Sequence, residues 1–146
     1  MKETYFLFAG LLVSTVMLGV NPAYANGNNC GFQSKGLSLS FGILNPGSGF
    51  DVVVPVSGAS TAGDCAPGQT MTITGDSGLN FNGTRNLKSA AGDLIPYSLA
   101  GLPQSRSGLG NGNYVPFTFN GSILWSAYAN APIGSYSDTV IISVTP

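Results

Sequence analysis

The chain has no histidine, and Glu3 is its only glutamate. Without histidine it lacks the side chain that exchanges protons near neutral pH and most often ligates metals. Charge of either sign is scarce: five lysines and arginines and six acidic residues make up 8 % of the chain. Beyond residue 25 the cations are Lys35, Arg85, Lys88 and Arg106 alone. They form no basic run to grip nucleic acid or an anionic membrane. Cysteine is limited to Cys30 and Cys65, and tryptophan to Trp125. Helical signal is also missing after residue 25. Glycine, proline, serine and asparagine recur there every few residues, too often for a helix of ordinary length.

What is present starts with an export signal. The 146 residues are enough for one domain, and the first segment stands apart from it. Lys2 gives a weakly basic start, Tyr5 to Val20 is almost wholly apolar, and Ala23-Tyr24-Ala25 is a small-x-small cleavage site. This pattern predicts a secretory leader over residues 1–25, cut between Ala25 and Asn26, and a single domain over 26–146. The alternative, a membrane anchor, needs roughly 20 apolar residues, and this run is shorter. Earlier cleavage, leaving a longer apolar tail, is the other alternative. In an exported protein, two cysteines are expected to bond to each other. Neither a metal pair nor a reactive thiol has a histidine or second cysteine pair to support it. A Cys30–Cys65 bond closes a loop of 35 residues, worth about 4 kcal/mol in the chain-entropy model. So few charges on an exported surface suggest that much of it meets other protein, since repulsion would normally hold such surfaces apart.

Short strand-like runs fill the rest. Leu37 to Phe41 alternates and is read as ending at Gly42. Asp51 to Val56 is nearly all apolar, with Pro55 marking an edge or a bulge. Gln69 to Thr74 sets Met71 and Ile73 on one face, and Leu94 to Leu99 centres on Tyr97. Tyr114 to Phe119 is aromatic-rich, and Ile123 to Tyr128 carries Trp125. Asn82-Gly83, Asn111-Gly112 and Asn120-Gly121 read as hairpin tips, and Ser105 to Asn113 as a flexible loop. Roughly six or seven short strands with such turns predict an all-β, immunoglobulin-like antiparallel β-sandwich.

Catalytic chemistry finds little footing. Gly75-Asp76-Ser77-Gly78 is similar to the nucleophile segment of chymotrypsin-like proteases, but that mechanism needs a histidine. A polar turn is the reading that remains. The aspartates are scattered singly, which leaves no sequence-adjacent carboxylate pair for glycoside hydrolysis. No phosphate-cradling loop and no metal-ligand cluster is present, so no cofactor is implied. Asn82-Gly83-Thr84 and Asn120-Gly121-Ser122 fit the N-glycosylation pattern, and hairpin turns explain both equally well. Trp125, Tyr114 and Tyr128 are candidates for a sugar-stacking platform, against a core role for the tryptophan.

The last stretch, Gly134 to Pro146, organises the chain. Tyr136, Val140, Ile142 and Val144 share one parity, with Asp138 the only charge among them. Ser137, Thr139, Ser143 and Thr145 share the other, broken only by Ile141. Strand side chains alternate between faces, so one face is buried and one is wet. The residues in order also form a pattern: Cys30, Leu39-Ser40-Phe41-Gly42, Cys65, Arg85-x-Leu87, Tyr97-x-Leu99 and the closing G-S-Y-S-D-T-V-I-I-S-V-T-P. This order resembles the spore coat protein U domain, shared with subunits of archaic chaperone–usher pili. Where that family often has W-G-x-G before its penultimate strand, this chain reads L-G-N-G-N.

The resemblance implies an immunoglobulin-like fold without its seventh strand and a hydrophobic groove beside the terminal strand. A periplasmic chaperone lends a strand to the groove, and at an outer-membrane usher the amino-terminal extension of another pilus or coat subunit replaces it. The physics is β-augmentation, in which backbone hydrogen bonds give affinity and alternate side chains fill pockets. On this chain the groove wall maps to Tyr136, Val140, Ile142 and Val144, with the Pro146 carboxylate where chaperones anchor the chain end. The expected destination is the cell surface, as fibre or coat, by way of the periplasm, with no membrane contact after cleavage. The alternative is a free-standing secreted carbohydrate-binding sandwich. After cleavage at Ala25 only Asn26, Gly27, Asn28 and Asn29 precede Cys30. They reach roughly 13 Å at about 3.3 Å each, short of a strand of 17–20 Å, so the subunit is expected to receive a strand but not to give one. In a fibre that is the position of the tip; otherwise the subunit belongs to a coat assembled by some other contact.

Overall fold

The computed structural model describes residues 12–21, 31–32, 37–61, 67–110 and 115–145. In chain order the strands are β1 (Leu12–Asn21), β2 (Gly31–Phe32), β3 (Leu37–Leu44), β4 (Val52–Thr61) and β5 (Thr70–Gly75). Then come β6 (Arg85–Ser89), β7 (Leu94–Ala100), β8 (Gln104–Ser107) and β9 (Val115–Ile123). A single helical turn, α1 (Trp125–Tyr128), precedes β10 (Ser135–Thr145). Neighbours run β2-β4-β9-β7-β6-β10-β1-β3, and β5 pairs with both β10 and β8. The path folds into two layers at β7, which pairs with β6 from Leu94 to Tyr97 and with β9 from Ser98 to Ala100. The expected all-β sandwich is what the chain forms.

Alternation builds the core between the layers. Along β7, β9 and β10 every second residue is buried, as a sheet with one wet face requires. Leu39, Phe41 and Leu44 of β3 meet Met71, Ile73, Leu87, Ile95, Phe117, Phe119 and Ile123 in that interior. Each such side chain contributes roughly 1.5–3 kcal/mol when fully buried. Phe41 packs edge-on to Tyr97 with ring centroids 6.0 Å apart, the arrangement that aromatic quadrupoles favour.

Several local readings are corrected. β3 does not stop at Gly42. It continues to Leu44 through an irregularity in its pairing with β1, at which Gly42 takes a positive φ of 67°. Only glycine adopts such a φ freely. Asn120 and Gly121 are no hairpin tip but lie inside β9, opposite Pro55 and Val54 of β4. A Cβ at Gly121 would lie 3.0 Å from Phe41 Cζ and closer still to Leu39, so this glycine serves close packing between the layers. Ile123 to Tyr128 is not a strand: β9 ends at Ile123 and α1 follows. Trp125 is 38 % exposed, with its indole N–H donating to the Pro46 carbonyl at 2.7 Å. Tyr128, fully buried, takes the core place expected for the tryptophan. The segment read as a flexible loop begins inside β8, which pairs with β5 from Ser107↔Thr70 to Gln104↔Ile73.

A candidate strand-accepting site

β10 is held firmly along one edge. Its start pairs with β6 at Tyr136↔Ser89 and Ser137↔Lys88, and its end with β5 from Ile142↔Gly75 to Thr145↔Thr72. Between them the connection after β5 acts as a splice. The Asp76 N–H donates to the Ile141 carbonyl, and the Ile141 N–H donates to the Asp76 carboxylate, each at 3.0 Å. The Leu79 N–H donates to the Thr139 carbonyl at 2.9 Å, and the Asn80 amide to the Ser137 carbonyl at 3.1 Å. Arg85 fastens the splice by donating from Nε to the Asp76 carbonyl at 2.9 Å. The Gly75-Asp76-Ser77-Gly78 stretch is therefore a structural connection, as the polar-turn reading required.

These bonds engage the odd-numbered residues of β10. Backbone groups alternate along a strand, so those of Tyr136, Asp138, Val140 and Ile142 face the opposite edge. There β1 lies, running parallel to β10 from Val13↔Ser135 to Asn21↔Ser143 without a break. On its far side β1 pairs antiparallel with β3, from Leu12↔Leu44 to Leu18↔Leu37. β10 and β3 are not ladder partners; one strand bridges them. That one-strand slot is the candidate site.

Its wall is the row read from the sequence. Tyr136, Val140, Ile142 and Val144 are all buried on one face of β10, and Leu39, Phe41 and Leu44 are buried on β3 across the slot. Asp138, in the same row, is 2 % exposed. Its carboxylate accepts from the Tyr97 hydroxyl at 2.7 Å and from the Asn80 N–H and side-chain amide at 3.0 Å each. A buried carboxylate is tolerated when so satisfied. The sequence reading missed Asn80 and Tyr97 as its partners. The available signal was an aspartate on the apolar parity, a placement that demands donors.

Burial, and then the hydrogen bond to Asp138, push the Tyr97 phenol well above its ordinary range. Burial also raises Tyr136, whose hydroxyl donates to the Pro132 carbonyl at 2.7 Å. Unfolded tyrosine ionises near pH 10, while these two hold their protons when folded. Their contribution is thus intact below about pH 10 and lost as pH rises beyond it, with Tyr97 carrying the larger share, up to about 1.4 kcal/mol per pH unit. Urea midpoints measured from pH 8 to 11 should fall on the alkaline side, and Tyr97→Phe should fall less steeply.

Of the other residues singled out, Cys30, Cys65, Pro146 and Tyr114 lie outside the described residues. The pairing Gly31↔Thr61 brings together the chain segments that flank the two cysteines. The sugar platform does not assemble around Tyr128, whose ring is fully buried and whose hydroxyl donates to the Phe50 carbonyl. A hollow of about 250 Å³ between Pro96, Ser98, Ser122, Leu124 and Ala127 has no carboxylate or cation in its lining. Among the described residues no cluster of three metal-ligating side chains occurs, and no helix is long and apolar enough to cross a membrane.

No curated protein matches the chain. The model of the Spore Coat Protein U domain matches residues 14–143, a span that begins within β1 and takes in most of β10. The chain belongs to the Spore Coat Protein U domain family.

Proposed function

We propose that this chain is a secreted structural subunit of a surface fibre or coat, joined to its neighbours by accepting a β-strand between β10 and β3. One observation carries the reading: a single strand separates these two, and it comes from the segment read as a cleavable leader. With residues 1–25 removed, β10 and β3 flank an open slot over an apolar floor. Such edges bind another chain's strand or aggregate.

The partners that suit this slot are those of chaperone–usher assembly: a periplasmic chaperone that fills it in transit, an outer-membrane usher, and a neighbouring subunit that fills it finally. A Cys30–Cys65 bond would brace the end of the sandwich where β2 meets β4. With Asn26 to Asn29 too short and too polar to serve as a donor, the subunit belongs at a fibre tip. No step of this role is catalytic.

Expression of residues 26–146 in the periplasm, with and without a cognate chaperone, tests the reading. A one-to-one complex with the chaperone, and aggregation or degradation without it, is the expected result. A soluble monomer that needs no partner would favour the free-standing binding domain. Homopolymers formed through the native amino terminus would refute the tip assignment.

A further inference from the structure

We propose that Leu12–Asn21 is an internal donor strand: while it remains attached, the domain is complete and closed to a partner's strand, and its removal opens the site. The proposal rests on the strand-accepting reading and goes beyond it by naming the first occupant and the switch. Three observations support it. The β1–β10 ladder covers nine consecutive pairs in one unbroken register. The same segment also pairs with β3 from Leu12 to Leu18, so it satisfies both edges of the slot at once. The family match begins at Ser14, which makes most of this strand part of the matched domain.

The register names the segment's chemistry. Ser14, Val16, Leu18 and Val20 sit beside Tyr136, Asp138, Val140 and Ile142, the buried row of β10. Paired residues in a ladder share a face. The aliphatic residues Val16, Leu18 and Val20 are thus the ladder partners of Asp138, Val140 and Ile142, and Ser14 is that of Tyr136. The apolarity that suits a leader also suits a donor strand. Connection favours it further. Leu18 pairs with Leu37, so β1 ends on the side of the sandwich where β3 begins. A segment tethered by a short chain acts at an effective concentration of about millimolar. A partner's strand must compete with that, which makes the attached segment an autoinhibitor of assembly and proteolytic processing the release.

The test uses the full 146-residue chain, refolded, with a fluorescent peptide of sequence Leu12–Asn21 as probe. The unsubstituted chain should be monomeric and should bind the peptide on the order of a hundredfold more weakly than Leu18→Asp. Met17→Asp, on the other parity, should behave like the unsubstituted chain. If Leu18→Asp aggregates before assay, Val16→Ser combined with Leu18→Ser weakens the segment without adding charge and takes its place. Equal, tight peptide binding by the unsubstituted and substituted chains would overturn the internal donor while leaving the strand-accepting site intact. Absence of peptide binding in every form, with all forms stably folded, would overturn both.

Discussion

Ile142→Asp or Val140→Asp should leave almost no folded subunit, even in the presence of a chaperone. Both side chains are fully buried, and Ile142 Cδ1 would lie 3.2 Å from a Cβ placed on Gly75, so the site has little room to rearrange. Each substitution removes a buried aliphatic group and adds a carboxylate with no donor prepared for it. Asp138 shows what the fold must supply for such a group: a tyrosine hydroxyl, a backbone N–H and an amide. Without them the combined cost is on the order of 5 kcal/mol or more, comparable to the stability of a small domain. Ser137→Asp is the matched control. It is exposed and lies opposite Lys88 on β6, so its effect should stay within about 0.5 kcal/mol. Periplasmic accumulation, by immunoblot against an unrelated exported protein, should separate the two classes. Equal accumulation of all three would mean that the faces of β10 are misassigned.

The second large effect concerns the cysteines. Cys65→Ser, or full reduction, should cost roughly 2–5 kcal/mol. The expected bond would staple the chain near the short β2–β4 pairing, which consists of Gly31↔Thr61 and Phe32↔Ser60 only. So short a ladder holds little by itself. Thiol labelling of the denatured, unreduced protein should find no free cysteine, and the urea midpoint should drop on reduction. Two labelled thiols per chain would refute the bond.

The sequence disclosed most where alternation was unbroken. β10 could be read residue by residue, and β7 as a strand around Tyr97, because a buried and a wet face leave a period of two. β6 and β8 were hidden for the opposite reason. Arg85–Ser89 offers one aliphatic side chain, Leu87, and buries Asn86 beside it, while Gln104–Ser107 buries none of its side chains. Asn120-Gly121 looked like turn chemistry because the dipeptide is read for φ. Here the glycine answers to packing against Leu39 and Phe41 instead. The wall of the site was legible for the same reason as β10. Its partner wall on β3, the Asp76–Asn80 splice and the Asp138 network were not, because each depends on contacts across long sequence separations. The strand that fills the slot was legible only as a leader, since one apolar pattern serves both purposes.

Strand acceptance is tested most directly by amide hydrogen exchange at β10. Residues 26–146, released from the chaperone complex at a dilution that keeps them dispersed, would be followed residue by residue with and without the Leu12–Asn21 peptide. The amides of Asp138, Val140 and Ile142 face the slot and should gain strong protection only when the peptide is bound. Ile141, held by Asp76, and Ser143, opposite Thr74, should change far less. Alternate-residue protection on peptide addition is the expected result. Protection of the whole strand without peptide, or peptide binding that leaves the alternate amides unchanged, would contradict it.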